Sequence, residues 1–303
     1  MRVPARGGIL AAMTTLKTIS TELAELVRRV APAVIGIRGR GLLCSGVIWR
    51  DGIVVTSEQA LDKDETLTVL LDGWAEAAAT LAGRDPTTNT AVLRIEKAGA
   101  AAALGDAASV AAGHLALAVG RHRSGQTLSA LGTVALAGEA WRSMAGGLID
   151  RLIRLDLRPT REVEGAPVFD ADGRLFGMVA AGPRRSVLVI PVSTVARAVD
   201  QLLAKGRITR GYLGVGVQAT RLSEAPKRRG LLVTSVATDG PAARAGLTIG
   251  DVLLNVDDKE VETRYDLLWL LGSDTVGRQV VAKGLRGGAP FEWRIDIGER
   301  PAA

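Results

Sequence analysis

Cysteine is almost missing from this 303-residue chain: Cys44 stands alone, so no internal disulfide can form and nothing demands an oxidising compartment. Histidine is nearly as scarce, with only His114 and His122. A metal centre needs three or four converging ligands, and these three residues show no such spacing, so neither a metal nor a cofactor is expected. Five tryptophans, two tyrosines and three phenylalanines make up 3% of the residues, too few for a surface that stacks bases. Lysine and arginine exceed aspartate and glutamate by 38 to 32, but the basic residues are scattered. The densest run, Lys227-Arg228-Arg229, reads as solvated surface, and no nucleic-acid partner is expected. No run of about 18 apolar residues occurs, so no membrane span is expected. The start, Met1–Thr15, carries Arg2, Arg6 and a short apolar run without a small-residue cleavage pattern, which makes a poor signal peptide. Residues 1–18 are therefore expected to be a flexible leader, with Met13 an alternative start, and the protein to be cytoplasmic.

What is present is apolar substance. With 47% hydrophobic and 23% charged residues, the chain is long enough for two domains with a core each. Leu23, Leu26, Val27 and Val30 recur at helical spacing behind Ser20, predicting a capped helix from Ser20 to Val30. Short β-branched runs follow at Ala33–Ile37, Leu42–Trp49, Ile53–Thr56, Thr66–Leu71 and Ala91–Ile95. Five more are Leu115–Val119, Leu128–Leu136, Leu152–Leu157, Arg174–Val179 and Ser186–Ile190. With Asp51-Gly52, Asp72-Gly73 and Asp172-Gly173 as turns, this series predicts a barrel or sandwich. A second helix is signalled by Ser193 as cap, Val195, Ala196, Val199, Leu202 and Leu203 as apolar face, and Lys205-Gly206 as stop. Residues 207–303 then alternate short strands with one helix behind the cap-like start Thr263-Arg264-Tyr265-Asp266.

The motifs in these two regions resemble one family. Arg210-Gly211-Tyr212-Leu213-Gly214-Val215, Gly230-Leu231-Leu232-Val233, Gly240-Pro241-Ala242-Ala243-Arg244-Ala245-Gly246-Leu247 and Gly250-Asp251-Val252-Leu253 look like a PDZ domain of the HtrA kind. Cys44-Ser45-Gly46-Val47-Ile48, Asp51 to Thr56, Ala91 to Ile95, Leu104-Gly105-Asp106 and Gly165-Ala166-Pro167-Val168 are similar to the barrel framework of HtrA/Deg serine proteases. The resemblance implies a mostly β protein: a trypsin-like double β-barrel over 19–206, followed by a C-terminal α+β PDZ domain over 207–303.

By that resemblance the family's catalytic histidine, aspartate and serine fall on Gln59, Asn89 and Glu164. A serine attacks only when an imidazole takes its proton and a carboxylate orients that imidazole. An amide does not titrate near neutrality, so Gln59 cannot be the base. Losing nucleophile or base costs on the order of a million-fold, and an oxyanion hole alone leaves roughly a thousand- to ten-thousand-fold over water. Substitutes are wanting: His114 begins a strand, His122 sits in a turn and is expected not to reach the site, and Cys44 and Ser45 belong to a strand. Glu162 and Glu164 form a carboxylate pair on one loop, read mainly as solvated; a Glu164 carboxylate folded into a nest of neighbouring N–H groups would close the cleft.

The expected function is therefore a catalytically inactive homologue that binds polypeptides or protein C-termini, as scaffold, regulator or chaperone-like binder. The PDZ resemblance implies strand addition, with the carboxylate held by Tyr212, Leu213, Gly214 and Val215 and the terminal side chain lying near Leu268 and Leu271. The alternative is a serine-type endopeptidase with an altered site. Family members often trimerise, so a homotrimer or a mixed oligomer with an active homologue is a further expectation.

Overall fold

The computed structural model describes residues 6–38, 43–61, 66–71, 75–96, 99–158, 160–222 and 229–301. The Asp72-Gly73 turn and Lys227-Arg228 lie outside them. The first difference from the sequence reading is at the start. Helix α1 (Arg6–Val30) runs 25 residues, through most of the expected leader and straight past Ser20, which is interior and caps nothing. No proline falls between Pro4 and Pro32, and once a helix is nucleated each added residue gains a hydrogen bond. The predicted stripe is nevertheless the covered one: Leu26 and Val30 are buried and Leu23 and Val27 half-buried, while Leu16 and Ile19 are exposed.

After a 3-10 turn at Ala31–Ala33, six strands close the first barrel. They are β1 (Val34–Arg38), β2 (Leu43–Arg50), β3 (Ile53–Thr56), β4 (Thr66–Leu70), β5 (Glu76–Asp85) and β6 (Thr90–Ile95), paired in the order β1-β2-β3-β6-β5-β4. Ile35, Ile37, Val54, Leu67, Val69 and Leu93 fill it. Asp51-Gly52 makes the expected tight hairpin, with Arg50 opposite Ile53 and Gly52 at φ +68°. Strand β5 has no counterpart in the sequence reading. Its run Glu-Ala-Ala-Ala-Thr-Leu-Ala-Gly-Arg-Asp has little β preference, and it is a strand because β4 and β6 present two edges that only it can join.

The second barrel uses β7 (Leu115–Arg121), β8 (Thr127–Ala137), β11 (Ile153–Leu155), β12 (Pro167–Phe169), β13 (Leu175–Ala181) and β14 (Val187–Pro191), in the order β11-β14-β13-β12-β7-β8. Between β8 and β11, β9 (Trp141–Arg142) pairs with β10 (Leu148–Ile149). Helix α2 (Val192–Lys205) begins at Pro191 without a side-chain cap; Ser193 bonds Asp150 instead. Gly206, at φ +68°, ends the helix in the left-handed conformation, as its Lys-Gly stop predicts.

The chain divides into two compact units, with the barrels in one that ends at Gly206 and the second comprising Arg142–Leu148 and Arg207 onward. In the second, β16 (Val215–Arg221), β17 (Arg229–Val236), β18 (Val252–Val256), β20 (Gln279–Arg286) and β21 (Ala289–Asp296) form a sheet in that order. β19 (Lys259–Glu260) joins β18, and β15 (Gly211–Tyr212) pairs with β22 (Gly298–Glu299). Helices α3 (Pro241–Arg244) and α4 (Arg264–Leu270) accompany the sheet, and Trp293, Leu231, Leu253 and Ile295 lie in its core. The predicted capping box is present: the Asp266 N–H donates to Thr263 Oγ1, and Thr263 N–H donates back to the Asp266 carboxylate.

Candidate functional site

The site grows from β2. Its Ser45 N–H donates to the Glu164 carbonyl at 3.0 Å, its hydroxyl donates to the Glu162 carbonyl at 2.6 Å, and that hydroxyl accepts the Arg121 N–H at 3.0 Å. Thr56 Oγ1 in turn donates to the Ser45 carbonyl at 2.7 Å. The 162–167 loop is thus pinned against both barrels. Gly165 makes this approach possible: it stands at φ +75°, and a Cβ there would lie 2.5 Å from Thr56 Oγ1 and closer still to the Ser45 carbonyl.

Facing that loop is Asn89, a non-glycine residue at φ +55°, a conformation asparagine tolerates. The buried Asp85 carboxylate holds the turn by accepting the Thr87 N–H and hydroxyl at 2.9 and 2.6 Å. Asn89 Oδ1 accepts the Gln59 N–H and the Ser57 hydroxyl, both at 2.9 Å. The Ser57 hydroxyl also lies 2.7 Å from Glu164 Oε1, so one proton serves two acceptors. Asn89 Nδ2 donates to the same Oε1 at 3.3 Å. Burial pushes the Glu164 carboxyl above its ordinary value, against the opposing pull of bonds from Ser57, Asn89 and the Ala181 backbone.

Of the three positions picked from the sequence, the fold brings the side chains of Asn89 and Glu164 together. Gln59 joins only through its backbone, and the residue is exposed. Ser57 is the member that sequence reasoning missed; alternation from Ile53 and Val55 places it on their face, which was the available signal. Glu164 does turn inward, but not into a nest of its neighbours. The Gly165 and Ala166 N–H groups donate to Val179 and Val163 carbonyls, and the carboxylate draws on Ser57, Asn89 and Ala181.

Both histidines are described. His114 Nδ1 accepts the Ala111 N–H at 3.4 Å. His122 departs from expectation: its Nε2 lies 3.5 Å from Glu162 Oε1, on the same loop as Glu164. Cys44 is buried, with Sγ 3.7 Å from Thr56 Oγ1. Among the described residues no cluster of His, Cys, Asp and Glu could hold a metal ion, and no helix is long and apolar enough to cross a membrane.

In the second unit Leu213 is buried in the core, and its carbonyl accepts the Ala242 N–H at 2.8 Å. Gly214, at φ +78°, accepts the Ala237 N–H at 2.8 Å. Tyr212 pairs with Gly298, and Val215 opposite Val236 opens β16. Val215 and Leu271 are half-buried against the core, and so are Val217 and Leu270, which the sequence reading had not named. Leu268 is 37% exposed.

Residues 44–178 match the trypsin-like peptidase domain family, and residues 211–297 match the PDZ domain family. A probable periplasmic serine endoprotease DegP-like from Brucella suis biovar 1 (strain 1330) is 32% identical over 270 residues, 84% of this chain and 52% of that protein. A relative of the same description from Pseudomonas fulva (strain 12-X) is 30% identical over 268 residues, 84% of this chain and 55% of that protein. This chain therefore spans about half the length of these relatives. Among solved structures, the HtrA-type protease AlgW with decapeptide superposes with a TM-score of 0.71 at 26% identity, covering 92% of this chain and 99% of that one. The serine endoprotease from Yersinia pestis gives 0.68 at 25%, covering 92% and 98%. The periplasmic names of the relatives overturn the cytoplasmic assignment drawn from the first residues, where a weak apolar run was weighed as an address.

Proposed function

We propose that this chain, which belongs to the HtrA/DegP family of trypsin-like proteases carrying a PDZ domain, holds polypeptides without cutting them at the family site. One observation carries the reading: the pocket built by Asn89 and the 162–167 loop is filled by a hydroxyl, an amide and a carboxylate that bond one another, while the His122 ring bonds Ser124 and faces Glu162 instead. Ser57 is fully buried, so its hydroxyl meets no substrate carbonyl. Gln59 and Asn89 do not titrate near neutrality and take no proton from a nucleophile. Introducing a hydroxyl by Glu164→Ser therefore yields no turnover, because the base is still missing.

The working surface is the strip between β16 and α4. A peptide added beside β16 would extend the sheet, with its terminal carboxylate at Tyr212–Val215 and its last side chain among Val215, Val217, Leu270 and Leu271; Leu268 stands at the rim. We propose a periplasmic location, on the names of its relatives. A homotrimer or a mixed oligomer with an active homologue is the assembly we propose. Anisotropy with the full chain and a labelled peptide ending in an apolar residue tests the binding role. A free carboxylate should bind and its C-terminal amide should bind at least about tenfold more weakly, one hydrogen-bonded charge being worth about 1.5–3 kcal/mol. Equal affinity for both would overturn it. The second reading, an endopeptidase with an altered site, draws support from the relatives' names alone.

A further inference from the structure

The turn between β7 and β8 carries chemistry that the family site does not use. The His122 N–H donates to the Gln126 carbonyl at 2.9 Å, and the Gly125 N–H to the His122 carbonyl at 2.7 Å, with Gly125 at φ +77°. This closure brings the side chains of residues 122 and 124 together, and Ser124 Oγ lies 2.7 Å from His122 Nδ1. The Ser124 N–H also donates to Nδ1, at 3.2 Å, so that nitrogen holds the lone pair and the ring proton sits on Nε2. Nε2 faces Glu162 Oε1 at 3.5 Å. The order is hydroxyl, unprotonated ring nitrogen, ring N–H, carboxylate: the sequence of roles an activated serine requires.

Access and support agree with that order. The His122 side chain is 41% exposed and Glu162 25%, and Ser124 is half-buried, so the ring is open to solvent while the carboxylate is partly shielded. The Glu162 backbone is anchored, because Ser45 donates to its carbonyl at 2.6 Å. Arg123 Nε lies 3.9 Å from Glu162 Oε1 and its side chain is 81% exposed, placing a guanidinium at the rim.

We propose that Ser124, His122 and Glu162 form a second site, competent for acyl transfer from small activated esters to water. Ser124 Oγ bonds to the acyl carbon while His122 Nδ1 takes its proton. The ester C–O bond then breaks, and the departing alcohol takes that proton. Water attacks the acyl-serine with His122 again as base, releasing the carboxylic acid and restoring the hydroxyl. A positioned base contributes about 10²–10⁴-fold. A preorganised oxyanion donor is worth about 10²–10³-fold, and the Arg123 guanidinium stands beside Glu162 rather than beside the hydroxyl, so that gain is not counted. That arithmetic confines the substrate class to esters with good leaving groups, such as aryl acetates, and leaves peptide bonds out. Gln126 Oε1, 3.1 Å from Ser124 Oγ, competes for the hydroxyl proton, so Gln126→Ala should raise the rate.

The test is p-nitrophenyl acetate with the full chain, read by nitrophenolate release and by peptide mass mapping of quenched samples. Acetyl-Ser124 should form in the first turnover, and Ser124→Ala and His122→Gln should each lower release at least about tenfold. Glu162→Gln, acting through the imidazole, should lower kcat while leaving KM in place. Equal rates in the parent and Ser124→Ala, or acetylation confined to lysines, would overturn the proposal. Should Ser124→Ala fail to fold, the presence or absence of acetyl-Ser124 in His122→Gln decides instead: retained acetylation at the parent's rate refutes the role of the base. Peptide binding beside β16 is read separately, so either proposal can fall without the other.

Discussion

Replacing Glu164 by glutamine isolates the charge at the centre of the pocket. The amide keeps an oxygen to accept from Ser57 and Asn89, which now stand 2.7 and 3.3 Å from Oε1, and its size is unchanged. The charge is lost, and the other carboxylate oxygen becomes an NH2 group that donates instead of accepting. Burial raises the carboxyl above its ordinary value of 4.5, so between that value and the raised one the folded chain binds more protons than the unfolded chain. Stability contributed by the protonated acid is therefore complete below pH about 4.5 and is lost as pH rises through the folded value. Each unit of upward displacement corresponds to about 1.4 kcal/mol, and 1 kcal/mol moves the midpoint of a domain this size by about 2–4 °C. Thermal unfolding of parent and Glu164→Gln from pH 4 to 8 should show a difference in midpoint that shifts steadily in the variant's favour toward the alkaline end. A gap that is constant with pH, or that favours the parent as pH rises, would refute the reasoning.

Two further substitutions probe the scaffold. Gly165→Ala sets a Cβ against Thr56, Ser57 and the Ser45 carbonyl at φ +75°, and should cost at least about 2 kcal/mol in urea unfolding of the barrel unit; a neutral result would mean that the loop stands free of β2. Asp251, 2% exposed in its side chain, is pulled below the usual carboxylate range despite burial, by Arg286 at 2.7 Å and by Thr248. Arg286→Ala removes the cation beside that carboxylate and should lower the urea midpoint of the second unit, whereas an unchanged midpoint would show the pair to be solvated.

The barrels were legible because many of their strands are β-branched and Asp51-Gly52 and Asp172-Gly173 mark turns, the second unit because its motifs resemble a PDZ domain, and α4 because Thr263 and Asp266 stand three apart. Strand β5 was hidden by its alanines: what makes it a strand is the pair of edges beside it, which no local window contains. The start of α1 and the cap of α2 were misread for one reason. Ser20 and Ser193 look like caps in sequence, but the helix propagates through the first and the second bonds Asp150. At the site, Gln59, Asn89 and Glu164 came from motif spacing, while Ser57 and the His122–Glu162 contact depend on loops from different strands meeting.

The most direct measurement of the central claim is digestion of an unfolded protein such as casein by the full chain, beside Glu164→Ala and Glu164→Ser and with an active relative as positive control. All three forms of this chain should leave the casein intact while the relative degrades it. Sustained cleavage by the parent would contradict the account, and its loss in Glu164→Ala would place the cutting at this very pocket.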